Sequence, residues 1–318
     1  MPYRNEFVSF VVIAYNEARN IARTVASINS LEDLDSYEIV VVDDGSRDNT
    51  AQIVEEIALQ DSHVRLIRLG VNYGRGYARS VGIAETKGEI IATVDSDIIL
   101  PADWLLRARA ALCNHDAVGG TAVPDGDAAY LYSRFHLVPR LVGHTTAVTG
   151  SNALYRREVF EIVKFNSGLR EGEDVALNHE TKARGLSFAT IPGLLVTHEE
   201  SKSFIESLRW LFISGKGATR QFVIYREVRQ PDVAVAAFAA TTVAGIYAAI
   251  RGHRTIGVAL PSGFVLAASV RHVRSRFETP RSQLNKIVPA VAVDSSLLSA
   301  YFAGRFIGLK TLRDSMRK

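Results

Sequence analysis

The first hundred residues alternate short apolar runs with stretches in which apolar side chains recur at helical spacing. The apolar runs cover residues 8–14, 38–43, 64–69 and 89–95, and they are rich in β-branched residues. Buried strands of this kind, separated by helices, indicate a parallel sheet that is covered on both faces. Because crossovers between parallel strands are right-handed, the pattern predicts a Rossmann-like, doubly wound α/β fold.

The pattern becomes mixed after residue 100. Apolar positions predict helices and short strands in the order 104–112 (helix), 117–123 (strand), 151–163 (helix), 174–184 (helix) and 188–191 (strand). We therefore expect one α/β domain with a mostly parallel central sheet over residues 1–200.

The last third of the chain is apolar and basic. Residues 201–232 include amphipathic helical patterns with several arginines, which are typical of helices at a lipid headgroup surface. The uncharged stretches 233–250 and 255–270, joined by a short basic connection, predict a transmembrane hairpin. A third apolar segment, 287–304, is expected to span the membrane, re-enter it or lie at its interface. The alternative for this tail is a soluble helical subdomain.

Charge is distributed unevenly along the chain. The net formal charge is +3, but residues 231–318 contain twelve Lys or Arg residues and four acidic ones, so the remainder is net acidic. This asymmetry predicts a soluble catalytic part and a C-terminal membrane region over residues 233–318. The N-terminal residues lack an apolar signal region, so we expect the catalytic part on the cytosolic side of the cell membrane. Cys113 is the only cysteine, which excludes an internal disulfide and a cysteine-based zinc site.

Polar residues follow each of the four predicted strands, whose carboxyl ends should meet at one edge of the sheet. They are Tyr15 and Glu17, Asp43 and Asp44, Arg75, and the triplet Asp95, Ser96 and Asp97. Side chains two residues apart on an extended segment point the same way, so Asp95 and Asp97 can hold Mg²⁺ or Mn²⁺, which binds diphosphate oxygens. Asp43 or Asp44 can bind a nucleoside base or ribose, although such residues also favour turns and helix caps.

Glu173 and Asp174 form a further acidic pair at the predicted start of a helix. The helix dipole alone would favour carboxylates there. Together with the other acidic motifs, the pair is better explained by catalysis, because transfer to a hydroxyl requires a general base.

These motifs, in this order, resemble glycosyltransferase family 2, whose members have the GT-A fold. The resemblance extends over roughly residues 8–200 and rests on the segments 8–17, 42–46, 72–79, 88–90, 95–97, 150–152 and 173–174. It implies an inverting transfer of a sugar from a nucleotide-diphosphate sugar, assisted by a divalent metal.

The resemblance also implies a role for each matching position. The implied donor-binding residues are Ala14, Tyr15, Glu17, Asp43, Asp44, Arg75, Asp95, Ser96 and Asp97. The implied metal ligands are Asp97, Asp95 and His198. The implied catalytic residues are Asp174, as the base, and Glu173 beside it. Residues 150–152 would border the acceptor site.

We expect transfer of a single sugar, because the chain lacks the Q-x-x-R-W motif of processive relatives. The Glu173–Asp174 pair favours a lipid-linked saccharide hydroxyl as the acceptor. The main alternative is a polyprenyl (dolichyl) phosphate acceptor, which needs no base. A nucleotidyltransferase, which would usually carry a Gly-rich phosphate loop after its first strand, and a non-catalytic membrane scaffold are further alternatives. The expected partners are a nucleotide sugar, with UDP and GDP as equal candidates, a membrane acceptor and membrane lipids, but no nucleic acid. The sequence predicts no oligomeric state.

Overall fold

The structure is a computed structural model of the 318-residue chain. It describes residues 6–125, 147–169, 172–199, 203–226, 228, 230–274 and 284–315. The described residues form two compact units, one between residues 6 and 199 and the other between residues 203 and 315.

The first unit is built on a mixed, mostly parallel sheet. Its strands in the described residues are β1 Val8–Ala14, β2 Tyr37–Asp43, β3 Val64–Arg68, β4 Ile90–Asp95, β5 Ile98–Ile99, β6 Ala117–Asp125, β7 Asn152–Arg156 and β8 Phe188–Glu199. They lie in the order β3-β2-β1-β4-β7-β6-β8-β5. The pairings among β1 to β4 are parallel, as is that of β6 with β8, whereas β7 is antiparallel to both its neighbours and β5 to β8. The predicted α/β fold with a mostly parallel sheet is therefore confirmed.

Helices cover both faces of this sheet. They are α1 Ile21–Asn29, α2 Thr50–Gln60, α3 Arg75–Ala84, α4 Trp104–Leu112, α5 Val159–Ile162 and α6 Glu173–Ala183. Phe10 and Val12 of β1 pack in one apolar cluster with Ile21 of α1, while Val11 packs in the opposite cluster with Ala78 of α3. Successive side chains of a strand point to opposite faces, so β1 is buried on both, as its continuous apolar run predicts.

The winding of the chain changes side at β1. Strands β2 and β3 lie on one side of β1, and β4 lies on the other. The register places Ala14 beside Asp43 and Ile13 beside Asp95. Ligands of doubly wound sheets bind at such a switch point, beyond the carboxyl ends of the strands. The predicted polar residues follow these strand ends.

The prediction of one helix over 151–163 is wrong. Residues Asn152–Arg156 form β7, which lies between β4 and β6, and only Val159–Ile162 is helical. A short apolar run that is buried on both faces shows neither a strand nor a helix period. The predicted helices at 104–112 and 174–184 correspond to α4 and α6, within one residue at each end.

The second unit is helical in its described residues. Its helices are α7 Phe204–Tyr225, α8 Gln230–Ile250, α9 Arg254–Arg274 and α10 Leu284–Ser315. Ser203 and Glu206 form a capping box at the start of α7. Helices α8 and α9 form a helical hairpin. They approach so closely that a Cβ on Gly245 would collide with the carbonyl oxygen of Gly257.

Among the residues that the structure describes, one helical segment, Pro231–Ile250, is long and apolar enough to cross a membrane. Its mean hydropathy is 2.0 and only 6% of it is buried, so it is not a core helix of the chain. The charged residues Asp232, Asp294 and Arg305 are buried, and Arg305 is paired with Asp232. Charges turned inward in this way are typical of membrane helices. Membrane insertion of the hairpin and of the 287–304 segment stays a prediction.

Candidate active site

Both carboxylates at the end of β2 bind backbone N–H groups. Asp44 is buried and accepts hydrogen bonds from the N–H groups of Tyr73 and Gly74, each at 2.8 Å. Asp43 is buried as well and accepts the N–H of Ser46 at 3.2 Å. These bonds fix the loops after β2 and β3 at the carboxyl edge. A further contact of either carboxylate with a base or ribose stays a prediction.

The loop after β1 carries three of the predicted pocket residues. The carbonyl oxygen of Ala14 accepts the N–H of Asp44 at 2.8 Å, so the ends of β1 and β2 are tied together. Tyr15 is 41% exposed, which leaves its ring open to a ligand at this edge. The carboxylate of Glu17 accepts a hydrogen bond from Asn20 Nδ2 at 2.9 Å.

Asn16 was not predicted to contribute, yet it joins the loops after β1 and β2. Its N–H donates to Ser46 Oγ at 2.9 Å, and its Oδ1 accepts the N–H of Arg47 at 2.8 Å. Its φ of 56° lies in the left-handed region, which asparagine tolerates better than most residues. An asparagine two residues after the end of a buried strand is the sequence signal that could have identified this turn.

The D-x-D motif at the end of β4 reaches His198. Asp97 Oδ2 lies 2.8 Å from His198 Nε2, and His198 is buried in β8. The antiparallel pairing of β5 with β8 sets this geometry, because it places Ile98 opposite His198. The N–H of Glu199 also donates to the carbonyl oxygen of Asp97 at 2.7 Å. The structure therefore brings together two of the three predicted metal ligands.

The third predicted metal ligand, Asp95, has a different partner. Its carboxylate accepts a hydrogen bond from Arg79, and Ser96 beside it is buried. Over the described ranges, no group of three His, Cys, Asp or Glu side chains is placed to hold a metal ion. Asp97 and His198 nevertheless supply a carboxylate oxygen and an imidazole nitrogen, a donor pair that fits Mn²⁺ if diphosphate oxygens and water complete the shell. A metal-binding role for Asp95 stays a prediction.

A buried arginine, Arg79, connects two of the predicted acidic residues. Its Nη2 donates to Asp95 at the end of β4, and its Nη1 donates to Glu173 at the start of α6. Its Cζ lies 5.5 Å from the centroid of the Phe165 ring. Arg75, one turn earlier on α3, is half exposed and lies 3.8 Å from the Glu173 carboxylate. No role was predicted for Arg79, although its spacing of four from Arg75 places both on one face of α3.

Glu173 and Asp174 are the first two residues of α6. Gly172, just before them, has a φ of 71°, the left-handed conformation that glycine adopts without strain. Glu173 is 2% exposed and turned toward Arg79. Asp174 is only part-buried, and its Oδ1 accepts the N–H of Val175 at 2.8 Å. Two adjacent carboxylates therefore have different surroundings.

The surroundings shift the pKa values of the two carboxylates in opposite directions. Burial would raise the pKa of Glu173, but the charges of Arg79 and Arg75 hold it below its ordinary value. Burial, and then the charge of Glu173, raise the pKa of Asp174, against the opposing effect of the two arginines. Glu173 is therefore held as a carboxylate, whereas Asp174 takes up a proton more readily than an ordinary aspartate. A raised proton affinity suits a general base that works near neutral pH.

The segment 150–152 lies next to this network. The carbonyl oxygen of Ser151 accepts the N–H of Asp95 at 3.0 Å, and Asn152 Oδ1 accepts the N–H of Gly120 at 2.7 Å. A Cβ added to Gly150 would lie 2.7 Å from Cζ of Arg79, so only glycine fits without a shift. Contact of this segment with an acceptor stays a prediction.

The mostly parallel sheet, with its acidic motif at the end of β4, defines a GT-A-like α/β protein. The model of the family "Glycosyl transferase family 2" matches residues 9–163, so this part of the chain is a domain of that family. The matched range runs from β1 to just beyond α5 and includes the ends of β1, β2 and β4.

Two curated relatives illustrate the similarity. Undecaprenyl-phosphate 4-deoxy-4-formamido-L-arabinose transferase of Shewanella sediminis is 32% identical over 206 residues, which cover 57% of this chain and 61% of the relative. Succinoglycan biosynthesis protein ExoO of Rhizobium meliloti is 36% identical over 211 residues, which cover 58% of each chain. The chain thus matches about three-fifths of the length of these relatives.

One solved structure matches almost the whole chain. The mannosyltransferase PcManGT of Pyrobaculum calidifontis, solved with GDP-Man and Mn²⁺, superposes with a TM-score of 0.61. The match covers 96% of this chain and 87% of that one, at 20% identity. At this identity the likeness concerns the fold alone.

Proposed function

We propose that this chain is a membrane-associated, inverting glycosyltransferase that moves a single sugar from a nucleotide-diphosphate sugar to a lipid-linked saccharide hydroxyl. The observation that carries the proposal is the arrangement of three carboxylates at the end of β4 and the start of α6. Arg79 binds Asp95 and Glu173, while Asp174 stays part-exposed beside them with a raised pKa. An acceptor needs such a base next to the donor site.

The donor would bind at the switch point between β1 and β4. The loops there are held by their own hydrogen bonds, through Asp44, Asn16 and the backbone of Ala14. Such preformed loops suit a nucleotide, whose base and ribose need fixed hydrogen-bonding partners. The fold likeness to a protein solved with GDP-Man and Mn²⁺ supports a nucleotide-sugar donor and a divalent cation.

Asp97 and His198 are the residues that would hold the cation. Bound there, the cation would supply positive charge to the diphosphate leaving group. Their contact of 2.8 Å already orients the imidazole toward the carboxylate. The half-exposed Arg75 adds a fixed positive charge on α3.

Asp174 would act on the acceptor. The acceptor hydroxyl transfers its proton to the Asp174 carboxylate as its oxygen bonds to the anomeric carbon. The bond from that carbon to the diphosphate oxygen breaks, and the nucleoside diphosphate leaves. A single displacement of this kind inverts the anomeric carbon, and a positioned base typically contributes about 10²–10⁴-fold to its rate.

A polyprenyl phosphate is the second candidate acceptor. The similarity to the relative from Shewanella sediminis, an undecaprenyl-phosphate sugar transferase, favours it. A phosphate oxygen is already a nucleophile, so Asp174 would then be dispensable as a base. Full turnover by the Asp174→Asn variant would favour this candidate over a saccharide hydroxyl.

The membrane assignment rests on the exposed, apolar segment Pro231–Ile250 and on the basic tail. We place the catalytic unit on the cytosolic side, because nucleotide sugars and the basic connections of the tail would both be found there.

The decisive experiment is a donor screen with the detergent-purified chain, with and without Mn²⁺. UDP- and GDP-sugars are each supplied with extracted membrane lipid as the acceptor pool. We expect metal-dependent release of one nucleoside diphosphate, with the sugar recovered in the lipid fraction. If no donor is consumed while Mn²⁺ and nucleotide still bind, the chain is not a glycosyltransferase of this kind.

A further inference from the structure

We propose that Arg79 is a positioning residue. It fixes the start of α6, which carries the proposed base, relative to the end of β4, where the donor would bind. This inference rests on the proposed function. Arg79 would touch neither the donor nor the acceptor, because it is only 1% exposed.

The geometry of Arg79 is that of a bridge between two elements. One arm of its guanidinium donates to Asp95 and the other to Glu173, so β4 and α6 share one planar group. Glu173 precedes Asp174, so whatever fixes Glu173 also fixes the first turn of the helix that carries the proposed base. Fork-like binding of this kind needs a guanidinium, since an ammonium is a point charge.

Uncharged neighbours also confine the guanidinium of Arg79. The ring of Phe165 lies 5.5 Å from its Cζ, and Gly150 packs directly against the guanidinium. A side chain that is bound at both ends and enclosed by its neighbours cannot move without displacing Asp95 or Glu173. The requirement for glycine at position 150 follows from this confinement.

The first unit contains a second fully buried arginine that serves as a comparison. Arg109 on α4 is also 1% exposed and pairs with Asp33 at 2.8 Å. It donates to the carbonyl oxygens of Asp33 and Glu6 as well, and none of these partners belongs to the proposed site. Arg109 therefore has the burial and the ion pair of Arg79 without its position.

Loss of the bridge should affect turnover more than donor binding. The nucleotide-side loops are held by hydrogen bonds of Asp44 and Asn16 in which Arg79 takes no part. The base and the reacting end of the donor would lose their common support. A misplacement of about 1 Å at a reacting centre can cost on the order of 10²-fold in rate.

The test compares four variants of the 318-residue chain. Arg79→Lys keeps the charge but cannot hold both carboxylates, and Gly150→Ala displaces Arg79 without altering it. Arg109→Lys is the matched control for a buried arginine. Gly70→Ala is the control for glycine, because nothing lies within 4 Å of the added Cβ. For each variant the melting temperature, the dissociation constants of UDP and GDP with Mn²⁺, and kcat and KM for the donor used by the wild type are measured.

We expect kcat to fall by about 10²-fold in Arg79→Lys and by at least tenfold in Gly150→Ala, with nucleotide dissociation constants close to those of the wild type. Arg109→Lys should lower the melting temperature and leave kcat unchanged, and Gly70→Ala should change neither. If Arg79→Lys loses no more kcat than Arg109→Lys, or if nucleotide affinity falls as far as kcat, the positioning role is wrong. A wild-type protein that consumes no donor would instead overturn the proposed function, and this inference with it.

Discussion

Replacing each member of the Glu173–Asp174 pair by its amide should give opposite results. The structure assigns the two neighbours different tasks, since Glu173 is 2% exposed and bonded to Arg79 whereas Asp174 is part-exposed with a raised pKa. We expect Asp174→Asn to lose activity and keep stability. We expect the main effect of Glu173→Gln to be a loss of stability.

The size of the Asp174→Asn effect follows from its role as a base. A general base is worth about 10²–10⁴-fold, or roughly 3–5 kcal/mol of activation free energy. Stability should not suffer. An aspartate whose folded pKa is raised contributes stability at low pH that is lost as pH rises through the folded pKa, so at neutral pH its charge is a cost. The neutral asparagine removes that cost.

The dependence of stability on pH has the opposite sign for Glu173. Its folded pKa is lowered, so its contribution to stability is present above the ordinary pKa of a glutamate and is lost as pH falls through the folded value. Breaking a buried ion pair costs about 3–5 kcal/mol. We expect the lower end, about 3 kcal/mol, because Arg79 keeps Asp95 as a partner. For a domain of about 150–250 residues this lowers the melting temperature by roughly 6–12 °C.

The assay combines thermal unfolding at neutral pH with turnover of the wild-type donor well below the melting temperature of each variant. Nucleotide binding serves as the check that both variants are folded. Glu173→Gln with an unchanged melting temperature and the activity loss expected of Asp174→Asn would reverse the two assignments. A destabilised Asp174→Asn would contradict the sign argument, whatever its activity.

Two further predictions concern the cation and the membrane. Asp97→Ala should abolish the Mn²⁺-dependent part of UDP or GDP binding in a calorimetric titration. Asp103→Asn, which changes an exposed carboxylate just before α4, should leave it intact; unchanged Mn²⁺ dependence in Asp97→Ala would rule out the proposed ligand. The protein should stay with the membrane pellet in high salt and be released by detergent, because the apolar residues of Pro231–Ile250 are exposed; release by salt alone would mean that it binds only lipid headgroups.

The first half of the fold could be predicted because its strands are buried on both faces. Continuous, β-branched apolar runs at 8–14 and 38–43 that are separated by helical patterns indicate central strands, and the structure has β1 and β2 at almost these positions. The same argument predicted that the acidic residues after these strands lie at one edge of the sheet. The contact between Asp97 and His198 could be anticipated only from the family resemblance, since it depends on the pairing of β5 with β8 across about a hundred residues.

The antiparallel part of the sheet was harder to predict. Strand β7 is five residues long and lies between β4 and β6, so its short buried run has no period that would distinguish a strand from a helix. Pairing with distant partners decides its conformation, and a local pattern carries no information about those partners.

The different surroundings of Glu173 and Asp174 show why a site is harder to predict than a fold. Successive helical residues point about 100° apart, so two adjacent carboxylates at a helix start cannot both face the same group. Which of them faces the interior depends on the position of Arg79, which lies 94 residues away in sequence. Once Arg79 binds Glu173, the remaining carboxylate sits beside a fixed negative charge and in partial isolation from water, and both effects raise its proton affinity. The basicity of Asp174 is thus a consequence of the partner that its neighbour has found, and it exists only in the folded chain.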